Sequence, residues 1–157
     1  MTAASARRES ILPPFECACA TVRRAARLLT QLYDEELRPH VEVPQFALLS
    51  VLERHPVCRQ SLLARSAGFD KTTISRNLAL MRRNGWIEDV QSDDPRDRGV
   101  RLTAAGRNLL RSAKPGWSRA QRRLSSAMKP QEWRKMWQAL DTLTNAALEA
   151  RRTKGAQ

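Results

Sequence analysis

Lys71, Thr72, Thr73, Ser75 and Arg76 follow one another with a single apolar interruption, Ile74. On a helix this gives a polar, cationic face with one side chain turned inward. A guanidinium can fork onto guanine O6 and N7 together, and short hydroxyls reach base edges or phosphate. The chemistry such a set performs is recognition of a polyanion, not bond making. Arg76 is the candidate for a base contact, with a phosphate contact as the alternative. Lys71, Thr72, Thr73 and Ser75 read as a mixture of base and phosphate contacts.

The residues just before this face explain how it would be held. L-L-A-R-S-A-G (62–68) reads as a short apolar helix that turns at Gly68. Small Ala64 lets two helices approach, Gly68 permits the turn, and Ile74 packs the second helix on the first. That is a helix-turn-helix, whose second helix enters a major groove. Arg59, Gln60 and Ser61 open the first of these helices, where free backbone N–H groups suit phosphate. Arg82 and Arg83 close the second, near its negative dipole end and the DNA backbone.

Charge agrees with that reading. The chain of 157 residues carries 28 Lys+Arg against 16 Asp+Glu, a formal net charge of +12. Such an excess repels itself unless it serves a polyanion. A solubilising or ribosome-associated basic surface is the bland alternative. No run of about 18 apolar residues occurs, so no membrane partner is expected. The start, M-T-A-A-S-A-R-R-E-S, has no apolar segment after it and is not a secretory signal. Three cysteines, an odd number irregularly spaced, argue for a reducing cytoplasm over a disulfide framework.

Helical periodicity and stop signals then set the elements. A first amphipathic helix runs from about Glu16 to Arg38 and stops before Pro39. Pro44 opens a second, ending near Pro56. A third spans about Arg59 to Ala67. A fourth is capped by Asp70 and ends at Asn84, with Gly85 as its left-handed stop. Trp86 to Gln91 and Arg96 to Leu102 form a strand pair around the turn S-D-D-P. Thr103 caps a long helix expected to kink at Pro115-Gly116, and Pro130 opens the last one. Trp133, Trp137, Leu140 and Leu143 lie on an apolar stripe of that last helix and are the candidate dimer interface.

The fold class is therefore mainly α with a small β-hairpin wing, a winged helix-turn-helix flanked by N- and C-terminal dimerisation helices. The divisions are a flexible tail over 1–15, an N-terminal dimerisation helix and linker over 16–43, the DNA-binding domain over 44–103, C-terminal dimerisation helices over 104–152 and a tail over 153–157.

These residues resemble the MarR (multiple antibiotic resistance regulator) family of bacterial winged-helix regulators over about residues 16–150. The most specific part is the wing-to-helix pattern D-x-R-x-x-x-V-x-L-T-x-x-G, met by Asp94, Arg96, Val100, Leu102, Thr103 and Gly106. Thr72 to Arg76, followed by Leu78, Gly85, Trp86 and Ile87, matches the recognition helix and its exit. The resemblance implies a homodimer on a pseudo-palindromic double-stranded operator, in the bacterial cytoplasm and nucleoid-associated. It mostly implies repression, relieved by a small ligand or by cysteine oxidation. Arg96 and Arg98 alternate on one strand face and point from the wing toward the minor groove, and Asp94 orients an arginine. For Arg98 a solvated charge is the alternative.

The resemblance also bears on Cys19. In the hydroperoxide-sensing branch, a reactive cysteine stands fourteen residues before a tyrosine, and Tyr33 places Cys19 there. That branch carries a second tyrosine where this chain has Arg23. A buried, inert cysteine is the alternative. Cys17 and Cys19 would sit about 200° apart on a helix, so they cannot chelate one metal. No metal, cofactor or enzymatic constellation is expected. Tyr33 and Trp117, with Trp133 and Trp137 as further candidates, could line an effector cleft, although aromatic residues at helical spacing are more often core. Sequence-independent, architectural DNA binding is the outside alternative.

Overall fold

The computed structural model describes residues 17–91 and 99–154. Helix α1 (Ala18–Leu37) starts on Cys17, whose Sγ accepts from the Ala20 N–H at 3.5 Å. It ends at Leu37, two residues before Pro39, which cannot continue it. Helix α2 (Val43–Arg54) carries Pro44 in its first turn, where a missing N–H costs nothing. A capping box between Glu42 and Gln45 closes its N-terminus. The Val43 N–H donates to Asp34 Oδ1 at 2.8 Å, tying α2 to α1.

A two-residue strand β1 (Cys58–Arg59) precedes α3 (Gln60–Ala67). Arg59 is thus the N-cap of α3, and Gln60 is its first residue. Gly68 ends α3 at φ 67°, a left-handed conformation that favours glycine. Helix α4 (Lys71–Arg83) follows its Asp70 cap, and Gly85 leaves it at φ 68°. Strands β2 (Ile87–Val90) and β3 (Gly99–Leu102) pair antiparallel, Ile87 opposite Leu102 and Val90 opposite Gly99. The strand from Trp86 is shorter than periodicity suggests, because the Trp86 N–H donates to Met81 O in the turn after α4. β1 adds to the other edge of β3, giving the order β1-β3-β2. This third strand was not anticipated: two residues are too few to show alternation.

Helix α5 (Ala104–Ser126) starts where Thr103 Oγ1 accepts from the Gly106 N–H at 3.1 Å. It continues through Pro115 to Ser126 as one helix, as expected. Proline removes one helical hydrogen bond there. Ala113, Gly116 and Ala120 are buried on the same helix, around the proline. Helix α6 (Pro130–Lys154) closes the described chain. No helix among the described residues is long and apolar enough to cross a membrane.

The core joins α1 and α5 to the lobe that carries α4. Leu37, Leu48, Leu49, Leu63, Leu78, Met81 and Leu110 have no exposed surface, and Ile74 and Val100 nearly none. Each such side chain contributes roughly 1.5–3 kcal/mol by leaving water. Ile74, Leu78 and Met81 form the inner face of α4, which fixes the opposite face outward.

Candidate nucleic-acid interface

That outward face carries the recognition candidates. Lys71, Thr72, Ser75 and Arg76 are all exposed. Thr73 is half-buried, and its hydroxyl donates to Asp70 Oδ2 at 2.7 Å. Asp70 Oδ1 meanwhile accepts from the N–H groups of Thr72 and Thr73 at 2.8 and 2.9 Å. The Thr73 hydroxyl, more than the backbone bonds beside it, holds the Asp70 carboxyl below the usual carboxylate range. Thr73 therefore secures the first turn of α4, while its neighbours remain available to a ligand.

Arg59 and Ser61 are exposed at the start of α3 and Gln60 is half-buried. Arg83 is exposed near the end of α4. Arg82 differs from it: its Nε and Nη2 bond Asp89 Oδ1 at 3.0 and 2.7 Å, fastening α4 to β2. Asp94, Arg96 and Arg98 lie outside the described residues, as do residues 1–16 and 155–157. The wing is thus seen through its paired base alone. There Arg101 Nε donates to Glu88 Oε1 at 2.7 Å across the hairpin.

Behind the lobe, α1, α2 and α5 line a half-open cavity of about 520 Å³. Tyr33 and Trp117 both line it, with Leu37, Val43 and Phe46. Trp133 and Trp137 do not; they pack edge to face on α6, ring centroids 5.7 Å apart. Trp117 stacks on Phe46 with centroids 6.2 Å apart. Lys114 and Glu53 pair at 2.7 Å on the wall. Tyr33 donates its hydroxyl to Gln121 Oε1, and burial raises its pKa. Its volume falls within the range of small-molecule pockets.

Three features of this region escaped the sequence reading. Phe46 forms half of the aromatic wall. Glu36 on α1 binds Arg119 Nε at 2.8 Å and Arg123 Nη1 at 2.9 Å on α5. Those two hydrogen bonds, Arg119 first, hold its carboxyl below the usual range. The third is a hydrogen-bonded chain through Gln45 and Asn77, whose only local signal is the Glu42/Gln45 capping spacing.

Of the cysteines, Cys19 is exposed on the first turn of α1, Cys17 is half-buried as its cap, and Cys58 is buried in the sheet. Burial pushes the Cys58 thiol up.

A MarR-family model matches residues 41–98. The M. tuberculosis transcriptional regulator MosR, solved in complex with DNA, is 37% identical over 87% of this chain and 99% of its own, with a TM-score of 0.78. The chain belongs to the MarR family. It is a winged helix-turn-helix transcriptional regulator. Two more distant structures share the fold. PcaV from Streptomyces coelicolor, in complex with its natural ligand, is 22% identical over 85% of this chain and 99% of its own, at a TM-score of 0.74. A mutant MarR from E. coli bound to operator DNA is 18% identical over 80% of this chain and 91% of its own, at a TM-score of 0.72. No curated protein matches the chain. Within this MarR-family regulator, α3 and α4 are the helix-turn-helix and β2 and β3 the base of the wing.

Proposed function

We propose that this regulator is a homodimeric repressor that sits on a pseudo-palindromic operator and leaves it when a small molecule fills the α1–α2–α5 cavity. The observation that carries the reading is the outward face of α4, where Lys71, Thr72, Ser75 and Arg76 stand exposed on a helix whose other face is core. The DNA complex of MosR supports it. Arg59, Gln60, Ser61 and Arg83 flank that face as phosphate ligands, and the family resemblance assigns Arg96, and Arg98 unless it is a solvated charge, to the minor groove, with Asp94 as the residue that orients an arginine.

Dimerisation follows from α6. None of its residues is buried, and Trp137, Leu140 and Leu143 are 53%, 41% and 38% exposed. A second copy covers that stripe and sets two α4 helices about 34 Å apart, the spacing of successive major grooves. Release by a ligand rests on the aromatic cavity, and PcaV, of the same fold, was crystallised with its natural ligand.

The experiment is selection of duplexes from a random library, followed by titration. The selected site should be an inverted repeat, take two protomers, and bind at least about a thousandfold tighter than a scrambled duplex at physiological salt. Equal affinity for both would favour the architectural reading.

A second reading keeps the DNA binding and replaces the ligand with oxidation at Cys19, favoured by that thiol's exposure in the first turn of α1. The thiolate attacks a hydroperoxide oxygen, giving sulfenic acid on the protein and an alcohol. tert-Butyl hydroperoxide should then release wild type from the selected duplex and spare Cys19→Ser. Unchanged binding with Cys19 shown oxidised by mass spectrometry would remove this reading.

A further inference from the structure

Gln45 is the one buried polar side chain among the described residues, 6% exposed, and it sits on α2, away from the outward face of α4. Both polar atoms of its side chain are hydrogen-bonded. The Glu42 N–H donates to Gln45 Oε1 at 3.1 Å, and Gln45 Nε2 donates to Asn77 Oδ1 at 2.7 Å. Asn77 Nδ2 in turn donates to the Thr73 carbonyl at 2.9 Å. Because each amide gives through its nitrogen and takes through its oxygen, the bonds reinforce one another along the chain. The far end reaches the turn of α4 whose hydroxyl and N–H are held by Asp70.

We infer that the Gln45–Asn77 pair is a positioning strut that fixes the rotation of the recognition helix about its own axis, and hence which bases α4 can read. The buried apolar face of α4, Ile74, Leu78 and Met81, sets its distance from the core. Apolar contact is non-directional and tolerates small rotations. A hydrogen bond weakens steeply once its angle falls. The strut sets the angle at the N-terminal half of α4, the half that carries the contact residues, as the Arg82–Asp89 bonds do at its C-terminal end. A rotation of roughly 20° at the radius of a side-chain tip shifts that tip by about 2 Å, enough to break a bidentate contact. Phosphate contacts from long, mobile cations tolerate such a shift.

Neither residue needs to touch DNA for this, which separates the strut from the contact residues. The test uses the full-length protein, a duplex selected by wild type from a random library, and a scrambled duplex of equal length. Gln45→Met keeps the length of the side chain and removes its bonds. Asn77→Ala breaks the same link from a half-exposed helical position where alanine is favourable, so it remains readable should the buried change disturb folding. Each variant should lower the affinity ratio, selected over scrambled, about tenfold, with affinity for the scrambled duplex within twofold of wild type. The double variant should lose less than the two single losses together, since the two variants share the Gln45–Asn77 bond, although each also removes one bond of its own. Repeating the selection with each variant should return a motif degraded at its major-groove positions.

Unchanged ratios and an unchanged motif in folded variants would overturn the strut. So would independent, additive losses in the double variant, or equal losses on both duplexes.

Discussion

Gly116→Ala tests the joint between the outer helices and the DNA-binding lobe. A Cβ at this position would lie 2.2 Å from the Glu36 carbonyl oxygen and 3.0 Å from its carbon. An ordinary close C···O approach is about 3.3 Å or more, so α1 and α5 must part by roughly 1 Å. The obstacle is backbone, and no rotamer change relieves it. Two effects oppose each other. Alanine is favoured over glycine in a helix by about 1 kcal/mol. Overpacking costs about 1–3 kcal/mol, and a backbone clash belongs at the upper end. The clash wins, by about 2 kcal/mol. For a chain of this size that lowers Tm by roughly 4–8 °C. The same parting stretches the bonds from Glu36 to Arg119 and Arg123. Circular dichroism at fixed protomer concentration reads the shift, since association would make Tm concentration-dependent. An unchanged or raised Tm would show that α1 and α5 do not meet at Gly116.

Three further outcomes follow from the same contacts. Gly106→Ala places a Cβ 2.0 Å from the Trp86 carbonyl oxygen, so it should destabilise the lobe and weaken DNA binding, checked by thermal melts and gel shift. Glu36 has its pKa lowered in the folded state, so its stabilising effect exists above the unfolded value of about 4.3 and is lost as pH falls through the folded value. Urea midpoints of wild type should therefore exceed those of Glu36→Gln at pH 7, and the gap should close in acid below about pH 4; a gap that stays constant would contradict it. Ending the chain after Ala127 removes α6 and should leave a monomeric or insoluble product, whereas a truncated protein that still sediments as a folded dimer would place the interface elsewhere.

What could be read from the sequence was what short range decides. Gly68, Asp70, Gly85, Thr103 and Pro130 each act on the turn they occupy, and each stands where its chemistry indicates. Ile74 was legible as core because an apolar residue in a polar run has one place to go. What escaped depends on partners distant in the chain. β1 exists because β3 lies beside it, with Cys58 opposite Val100. Gly116 closes on the backbone of Glu36, 80 positions earlier in the chain. The Gln45–Asn77 bond joins residues 32 positions apart, and neither residue type announces it. The outward face of α4 was visible in outline, but that Thr73 would turn to Asp70 while Lys71, Thr72, Ser75 and Arg76 remained open required the cap geometry.

The central claim is that α4 reads base sequence, and Arg76→Ala addresses it most directly. Binding of wild type and variant should be measured on the selected duplex and on a scrambled one, at the same salt. A lost bidentate base contact costs about 1–3 kcal/mol, roughly 5- to 150-fold for each protomer on the selected duplex, with little change on the scrambled one. Equal loss on both would make Arg76 a phosphate ligand and contradict the claim that this face of α4 reads the operator.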